Sequence, residues 1–126
     1  MNKYDYVNEA KKYMYKKSIE YRAEEVEWSV QWWGDDEEDQ YVEFSKYSPA
    51  GEDFVFEVWY SRVSEIPEKV MEYYEEFDPE EHVMLWANSA GQNGVPRLRE
   101  LIEDADAIEE MIRELAIALK EDDFWD

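Results

Sequence analysis

Hydrophobic residues recur near helical spacing at the start of the chain. Tyr4, Val7 and Met14 follow this period, and basic residues fall mostly between them. The pattern predicts a first helix over roughly residues 4–20, because positions three and four apart share one face of a helix. We expect the basic face of this helix to lie near acidic residues elsewhere in the fold.

Three later segments alternate between hydrophobic and polar residues, which is typical of strands buried on one face. They cover residues 26–32, 41–47 and 53–60, and short polar connections separate them. They are therefore expected to form an antiparallel meander. Trp32 and Trp33 should point to opposite faces of the first strand, which leaves one of the two rings less buried. The residues predicted to face the core are Val26, Trp28, Val30, Trp32, Val42, Phe44, Phe54, Phe56, Val58 and Tyr60.

The second half of the chain begins with a helical pattern. Ser64 is a preferred N-cap residue and Pro67 falls in the first turn, so a second helix is predicted to run from there to Asp78-Pro79. Residues 82–88 contain four consecutive apolar residues, and the segment is short for a helix. We therefore expect a fourth strand, buried on both faces.

The last third of the chain contains a loop and then a second strongly helical pattern. Residues 89–95 are rich in Gly and Asn and predict the loop, and Pro96 opens the helical region. The preceding apolar residues, Leu98, Leu101 and Ile102, are predicted to form a turn or a separate short helix. The apolar stripe of the main helix consists of Ile108, Met111, Ile112, Leu115 and Leu119.

The order of these elements is α-β-β-β-α-β-α, which indicates an α+β fold. We expect one domain over residues 1–126, with helices packed on a four-stranded, mainly antiparallel sheet. The order of the strands does not follow from the pattern.

The charge of the chain narrows its possible partners. Asp and Glu outnumber Lys and Arg by 34 to 13, for a net charge of −21. Nucleic acids and anionic membranes bind proteins mainly through Lys and Arg, so direct binding to either is disfavoured. A strongly acidic field attracts basic surfaces instead. The predicted partner is a protein with a basic groove, although the first 22 residues depart from the acidic composition and carry a net +3.

The sequence contains no motif that binds a metal or cofactor or performs catalysis. It has no Cys, and His82, which we expect at a strand edge, is its single His. The sequence around Ser89 lacks the G-x-S-x-G elbow, and residues 35–46 lack the Gly and Glu of a calcium-binding loop. We therefore expect no cofactor and no catalytic or metal-binding residue, and an unrecognised enzyme remains only a third possibility. No secretion signal or membrane-spanning run is visible, so a cytoplasmic location is expected.

Carboxylates recur every three or four residues along the second and last predicted helices. Four residues advance roughly 6 Å along a helix, which is of the order of the spacing between successive phosphates in a nucleic acid. A solvated helix face would also be charged, but such faces usually mix Lys with Glu, because like charges at i,i+4 destabilise a helix. The candidate partner-binding residues are Glu68, Glu72, Glu75 and Glu76, then Glu103, Asp106, Glu110 and Glu114, and Asp35, Asp36, Glu37, Glu38 and Asp39 of the polar connection.

Several stretches support a resemblance to a known class of proteins. They are MEYYEEFD at residues 71–78, Met84-Leu85-Trp86, Gly94-Val95-Pro96 and Glu103-Asp104-Ala105, within residues 71–120. These stretches are similar to uncharacterised proteins of mobile elements. Small size, acidic helices and many Tyr and Trp residues make the whole chain resemble small acidic phage and conjugative-element proteins, including DNA-mimicking antirestriction and anti-CRISPR inhibitors.

The resemblance implies an inhibitor that occupies the basic nucleic-acid channel of a nuclease or CRISPR effector. Such inhibitors share charge rather than a motif, so the resemblance assigns no individual binding residue. The alternative is an acidic protein-binding or chaperone-like module that shields a basic partner without competing with nucleic acid.

Overall fold

A computed structural model describes the backbone of residues 3–34, 40–89 and 98–120. The fold is α+β, as the sequence predicts. No helix within these ranges is long and apolar enough to cross a membrane. The elements are α1 Lys3–Glu25, β1 Ser29–Trp33, β2 Tyr41–Tyr47, β3 Asp53–Trp59, a 3₁₀ turn Val63–Glu65, α2 Ile66–Glu76, α3 Pro79–Ser89 and α4 Leu98–Lys120.

The three strands form one antiparallel sheet in the order β1-β2-β3, which confirms the predicted meander. Ser48 and Glu52 close the tight turn between β2 and β3, because the Ser48 N–H donates to the Glu52 carbonyl at 2.8 Å. The polar connection between β1 and β2, residues 35–39, lies outside the described residues.

The core lies between one face of the sheet and the helices. The predicted inward residues of β2 and β3 are buried there. The apolar stripe of α4 packs against them, and α4 also contacts α1, α2 and α3. Among the largest fully buried side chains are Trp28, Phe44, Ile108, Ile112 and Leu115.

The junction of α1 and β1 differs from the sequence prediction. The helix continues to Glu25, five residues beyond the expected end, and β1 begins at Ser29 rather than Val26. Glu27 adopts a φ of 65°, a left-handed conformation that ends the helix, and the Trp28 N–H donates to the Ala23 carbonyl at 2.9 Å. Trp28 is buried, as the alternating pattern predicts, although it precedes the first residue of β1.

The predicted fourth strand is wrong: residues 79–89 form α3. Asp78 caps this helix, since its Oδ1 accepts a hydrogen bond from the Glu80 N–H at 3.0 Å, and Pro79 occupies the first helical position. The segment is not buried on both faces as expected, because Val83 is buried whereas Met84 and Leu85 are 66% and 61% exposed. The sheet of the described chain therefore has three strands.

The ends of the other two helices also correct the sequence prediction. Ser64 lies inside the 3₁₀ turn and does not cap α2; the Glu65 carboxylate instead accepts from the Arg62 N–H at 2.9 Å. The helix α2 ends at Glu76, before Asp78. Leu98, Leu101 and Ile102 belong to α4 itself, which is one continuous helix.

A buried carboxylate connects α4 to the sheet. Asp104 is 4% exposed, and it accepts hydrogen bonds from the Ser48 hydroxyl at 2.7 Å and from the Ala50 N–H at 2.9 Å. Its charge is therefore compensated by donors at the β2–β3 turn, as a buried carboxylate requires. This interaction fixes the position of α4 along the sheet.

Candidate functional site

The predicted carboxylates of α2 and α4 form a surface that we call the acidic helix surface. All of its members are exposed. The helices α2 and α4 are in contact, and the first turn of α2 lies beside the last turn of α4, where Lys120 Nζ and Glu68 Oε2 are 2.9 Å apart. The acidic helix surface consists of Glu68, Glu72, Glu75, Glu76, Glu103, Asp106, Glu110 and Glu114.

The carboxylates of α4 point away from the core. Glu103, Asp106, Glu110 and Glu114 occupy the side of the helix opposite its buried stripe, because both sets repeat every three or four residues but are offset by half a turn. Eleven residues separate the first from the last, which corresponds to about 16 Å along the helix axis. The row is therefore a straight, outward-facing line of negative charge.

Most of these carboxylates have no partner among the residues that the structure describes. Glu68 pairs with Lys120, and Glu110 Oε1 lies 2.9 Å from Arg113 Nη1. Within the described residues, the other six side chains form no ion pair or hydrogen bond. These six are Glu72, Glu75, Glu76, Glu103, Asp106 and Glu114. They are therefore free to bind cations of another molecule.

In the described part of the chain, no basic side chain of α1 contacts the acidic helix surface. Arg22 donates from Nη1 to the Ala118 carbonyl at 3.1 Å, near the carboxyl end of α4, where the helix dipole favours a cation. Lys17 pairs with Glu20 at 3.3 Å within α1, and this contact raises the pKa of Lys17. Lys16 Nζ lies 4.9 Å from the centre of the Trp32 ring. These three basic side chains thus contact a backbone carbonyl, a carboxylate of α1 and an aromatic ring, respectively.

The five candidate carboxylates of the polar connection, Asp35, Asp36, Glu37, Glu38 and Asp39, lie outside the described residues. Their role in binding a partner stays a prediction.

The outer face of the sheet carries a second feature, which the sequence only partly predicts. Trp33, Tyr41 and Trp59 are paired in register across β1, β2 and β3. Their rings stack, with centroid distances of 6.3 Å from Trp33 to Tyr41 and 4.6 Å from Tyr41 to Trp59. We call these three residues the aromatic row. Trp33 is 42% exposed, as expected from its position opposite Trp32, and Trp59 is 50% exposed.

Carboxylates occupy the next row of the same face. Glu43 of β2 and Glu57 of β3 are paired in register and lie beside Gln31 of β1. Trp59 donates from Nε1 to Glu57 Oε2 at 3.3 Å. No local pattern in the sequence brings Tyr41, Trp59, Glu43 and Glu57 together, because only the register of the strands places them side by side.

Two adjoining clefts lie along α2, one between α2 and the β3 edge and the other between α2 and α3. One, of about 170 Å³, is lined by Glu57, Val58, Trp59, Lys69, Glu72, Tyr73 and Glu76. The other, of about 280 Å³, shares Tyr73 and Glu76 and extends to Phe77, Asp78, Glu81, His82 and Leu85. Both clefts therefore combine aromatic rings with carboxylates. Burial raises the pKa of Tyr73, whose ring stacks on Phe56 at 4.2 Å.

His82 is held by packing contacts at the second cleft. Its Nε2 lies 3.0 Å from Glu52 Oε2, and its ring contacts Phe54 and Phe77 at centroid distances of 5.5 Å and 5.6 Å. The expected strand-edge position is wrong, because His82 belongs to α3. Its contacts connect α3 to the β2–β3 turn.

A third cleft, of about 470 Å³, differs in charge from the first two. Its lining includes Lys11, Lys12 and Arg62 together with Tyr15, Gln40, Ser61, Val63 and Ser64. It lies between α1 and the 3₁₀ turn. The basic and acidic clefts are thus formed by different elements of the fold.

The described residues hold no group of three or more His, Asp or Glu side chains placed to bind a metal ion. The acidic helix surface and the aromatic row instead expose carboxylates and aromatic rings, which suit the binding of cationic side chains. No family model, curated protein or solved structure matches this chain.

Proposed function

We propose that the protein is an acidic DNA-mimic inhibitor of the anti-CRISPR or antirestriction type. Its acidic helix surface binds the basic nucleic-acid-binding surface of a nuclease or CRISPR effector and blocks DNA or RNA sterically. The observation that supports this proposal is the set of six exposed carboxylates on two adjacent helices that pair with no described residue.

The chemistry of such binding is ion pairing. Arg and Lys side chains that hold phosphates also form strong charge-assisted hydrogen bonds with carboxylates. The net charge of −21 would attract such a surface from a distance and speed its association. No covalent step is involved.

The arrangement of charge supports mimicry over general acidity. The α4 row presents carboxylates at steps of three or four residues, or about 5–6 Å. Packed helices lie about 8–10 Å apart, so α2 adds a second row of charge beside the first. Two neighbouring rows of anions resemble the phosphates that such a partner binds.

Like charges placed together on a helix also cost stability. Within α2 the carboxylates of Glu68, Glu72 and Glu76 are spaced at i,i+4, and each such repulsion costs roughly 0.2–0.5 kcal/mol. A Lys in place of one of these Glu residues would replace the repulsion with an attractive i,i+4 pair. A function that requires the charge accounts for this pattern better than solubility does.

A cytoplasmic location is part of the proposal. The chain contains no Cys and so requires no oxidising compartment for disulfides. The proposed targets act on nucleic acid inside the cell.

The test begins with capture of the partner. Tagged protein is incubated with lysate of its natural host at low and moderate salt, and captured proteins are identified by mass spectrometry. We expect one nuclease or CRISPR effector that is released by salt or by added duplex DNA or guide RNA, because screening weakens ion pairs and nucleic acid competes for the same site. Capture of many unrelated basic proteins would contradict the proposal.

Charge reversal then locates the binding surface. The variant with Glu72, Glu75, Glu76, Glu110 and Glu114 changed to Lys is expected to bind the captured target at least about tenfold more weakly, a loss equal to roughly 1.4 kcal/mol. A matched control carries the same five-charge reversal at other exposed positions, namely Glu24, Glu25, Glu80, Glu81 and Glu100. Equal losses in both variants would show that only total charge matters.

Competition distinguishes the proposal from the alternative module. An inhibitor and duplex DNA exclude each other on the target, so a gel-shift assay should show two binary complexes and no ternary one. A ternary complex would instead identify a shielding module bound elsewhere on its partner.

A further inference from the structure

The open end of the aromatic row borders one of the acidic clefts. Among the described strands β3 lies at the edge of the sheet. Trp59 therefore has a stacked neighbour, Tyr41, on the β2 side and no described strand on its other side. Half of the Trp59 surface is exposed. Trp59 also lines the cleft of about 170 Å³, together with three carboxylates, Glu57, Glu72 and Glu76, and one cation. This cation is Lys69, whose Nζ lies 4.0 Å from Glu65 Oε2.

We propose that this cleft binds an arginine side chain of the partner protein, with the guanidinium stacked on Trp59 and paired with Glu57, Glu72 or Glu76. We call it the arginine cleft. Because Glu72 and Glu76 also belong to the acidic helix surface, this inference builds on the proposed function and extends its binding site around the edge of β3.

The chemistry of the cleft favours a cation, because three carboxylates line it against the single cation Lys69. Trp is the aromatic residue whose ring face attracts cations most strongly. Glu57 lies beside that ring, and its carboxylate accepts the Trp59 indole N–H. A ring face with carboxylates at its margin provides two attractions for one cationic group.

Arginine fits the cleft better than lysine. Its planar guanidinium stacks on an aromatic ring and still directs N–H donors toward carboxylates in the same plane. It is also less strongly hydrated than an ammonium group, so it enters a half-buried cleft at lower cost. The cleft is therefore expected to bind arginine more tightly than lysine.

The other occupants of an exposed aromatic surface are disfavoured by charge. A nucleic acid could stack bases on the aromatic row, but its phosphates would meet Glu43 and Glu57 on the same face. A second copy of the chain would bring another net −21. Charge therefore favours a basic protein segment.

The chain already contains a contact of this kind on the inner side of the sheet. Lys16 Nζ lies 4.9 Å from the centre of the Trp32 ring, while the indole Nε1 of Trp32 donates to Glu20 Oε1 at 2.6 Å. A cation, a Trp ring and a carboxylate thus occur together there. Trp59 and Glu57 form the same pair of Trp ring and carboxylate, and here too the indole N–H donates to the carboxylate. The partner would supply the cation.

The test measures binding of a capped peptide of alternating arginine and glycine to the full chain by calorimetry. The citrulline and lysine versions of the same peptide serve as neutral and ammonium controls. Indole N–H resonances in NMR spectra, assigned from single Trp variants, report where the peptide binds. We expect the Trp59 resonance to shift, and affinity to decrease from arginine to lysine to citrulline.

Two pairs of matched variants locate the site. Trp59→Leu is expected to weaken arginine-peptide binding about fivefold, within the range of a cation–π contact. Trp33→Leu, at the opposite end of the aromatic row and away from the arginine cleft, should weaken it less than about twofold. Glu57→Gln should likewise weaken arginine-peptide binding more than Glu114→Gln does, although Glu114→Gln removes the same charge from α4.

Several outcomes would overturn the inference. They are equal losses in Trp59→Leu and Trp33→Leu, an unshifted Trp59 resonance, equal binding of the citrulline peptide, and a dimer in sedimentation whose formation Trp59→Leu prevents. The last would mean that a second copy covers this face. Failure here is distinguishable from failure of the proposed function, because target capture and DNA competition are measured separately and Trp59 lies outside the five reversed positions.

Discussion

The two faces of the sheet are built by the same strands and are both rich in aromatic residues, yet they differ in burial. Phe44 and Phe56 on the inner face are 0% and 5% exposed, whereas Trp33 and Trp59 on the outer face are 42% and 50% exposed. The helices account for the difference, since their apolar stripes pack on the inner face. Aromatic residues on the inner face therefore stabilise the fold, and those on the outer face are available for binding.

The largest expected effect compares truncation on the two faces. Phe44→Ala should destabilise the protein by about 3–5 kcal/mol, because it leaves a cavity beneath the helices. Trp33→Ala removes a larger side chain but should cost about 1 kcal/mol or less, because Trp33 lies on the open face of the sheet and is already 42% exposed. The measurement is the free energy of unfolding in urea. Similar costs would show that something covers the outer face in solution.

A smaller effect compares the two indole N–H donors. Trp28 donates from Nε1 to the Met111 carbonyl at 3.2 Å in the core, whereas the Trp59 bond to Glu57 is exposed. Trp28→Phe should cost about 1–3 kcal/mol, because it loses a buried hydrogen bond and some packing. Trp59→Phe should change stability by less than about 0.5 kcal/mol. Urea unfolding of both variants checks the difference, and a larger cost at Trp59 would contradict it.

The smallest effect concerns Tyr73, which stacks on inner-face Phe56 at the margin of the core. Burial raises the pKa of Tyr73 above its ordinary value of 10.0. The neutral phenol is therefore favoured by the folded state, and its stabilisation is complete below pH 10 and lost as the pH rises through the raised pKa. Tyr73→Phe should lose less stability than the wild type between about pH 9 and pH 11. A difference between the two proteins that does not change with pH would contradict this assignment.

The comparison also shows which parts of the fold were predictable. The alternation at 41–47 and 53–60 predicted β2 and β3 and their buried faces, because a period of two permits no other regular assignment. The apolar run at 83–86 was ambiguous, because four consecutive apolar residues fit a buried strand as well as a helix. Asp78 and Pro79 were the available signal, since a capping residue followed by Pro is typical of a helix start.

The candidate site was predictable to a similar degree. The exposure of the α2 and α4 carboxylates follows from their spacing relative to the apolar stripes. The arginine cleft does not, since Trp59 and Glu57 lie on a strand and Glu72 and Glu76 on a helix. Their meeting depends on the packing of α2 against β3.

The sequence by itself determined the net charge, the strand and helix faces of the periodic segments and the outward direction of the carboxylate rows, because these depend on composition and local period alone. Tertiary structure decided the remaining features. It placed Trp33, Tyr41 and Trp59 in one row, seated Asp104 at the β2–β3 turn and formed the clefts beside α2. Each of these depends on strand register or on contacts between distant segments, and a local pattern of hydrophobic and polar residues contains neither.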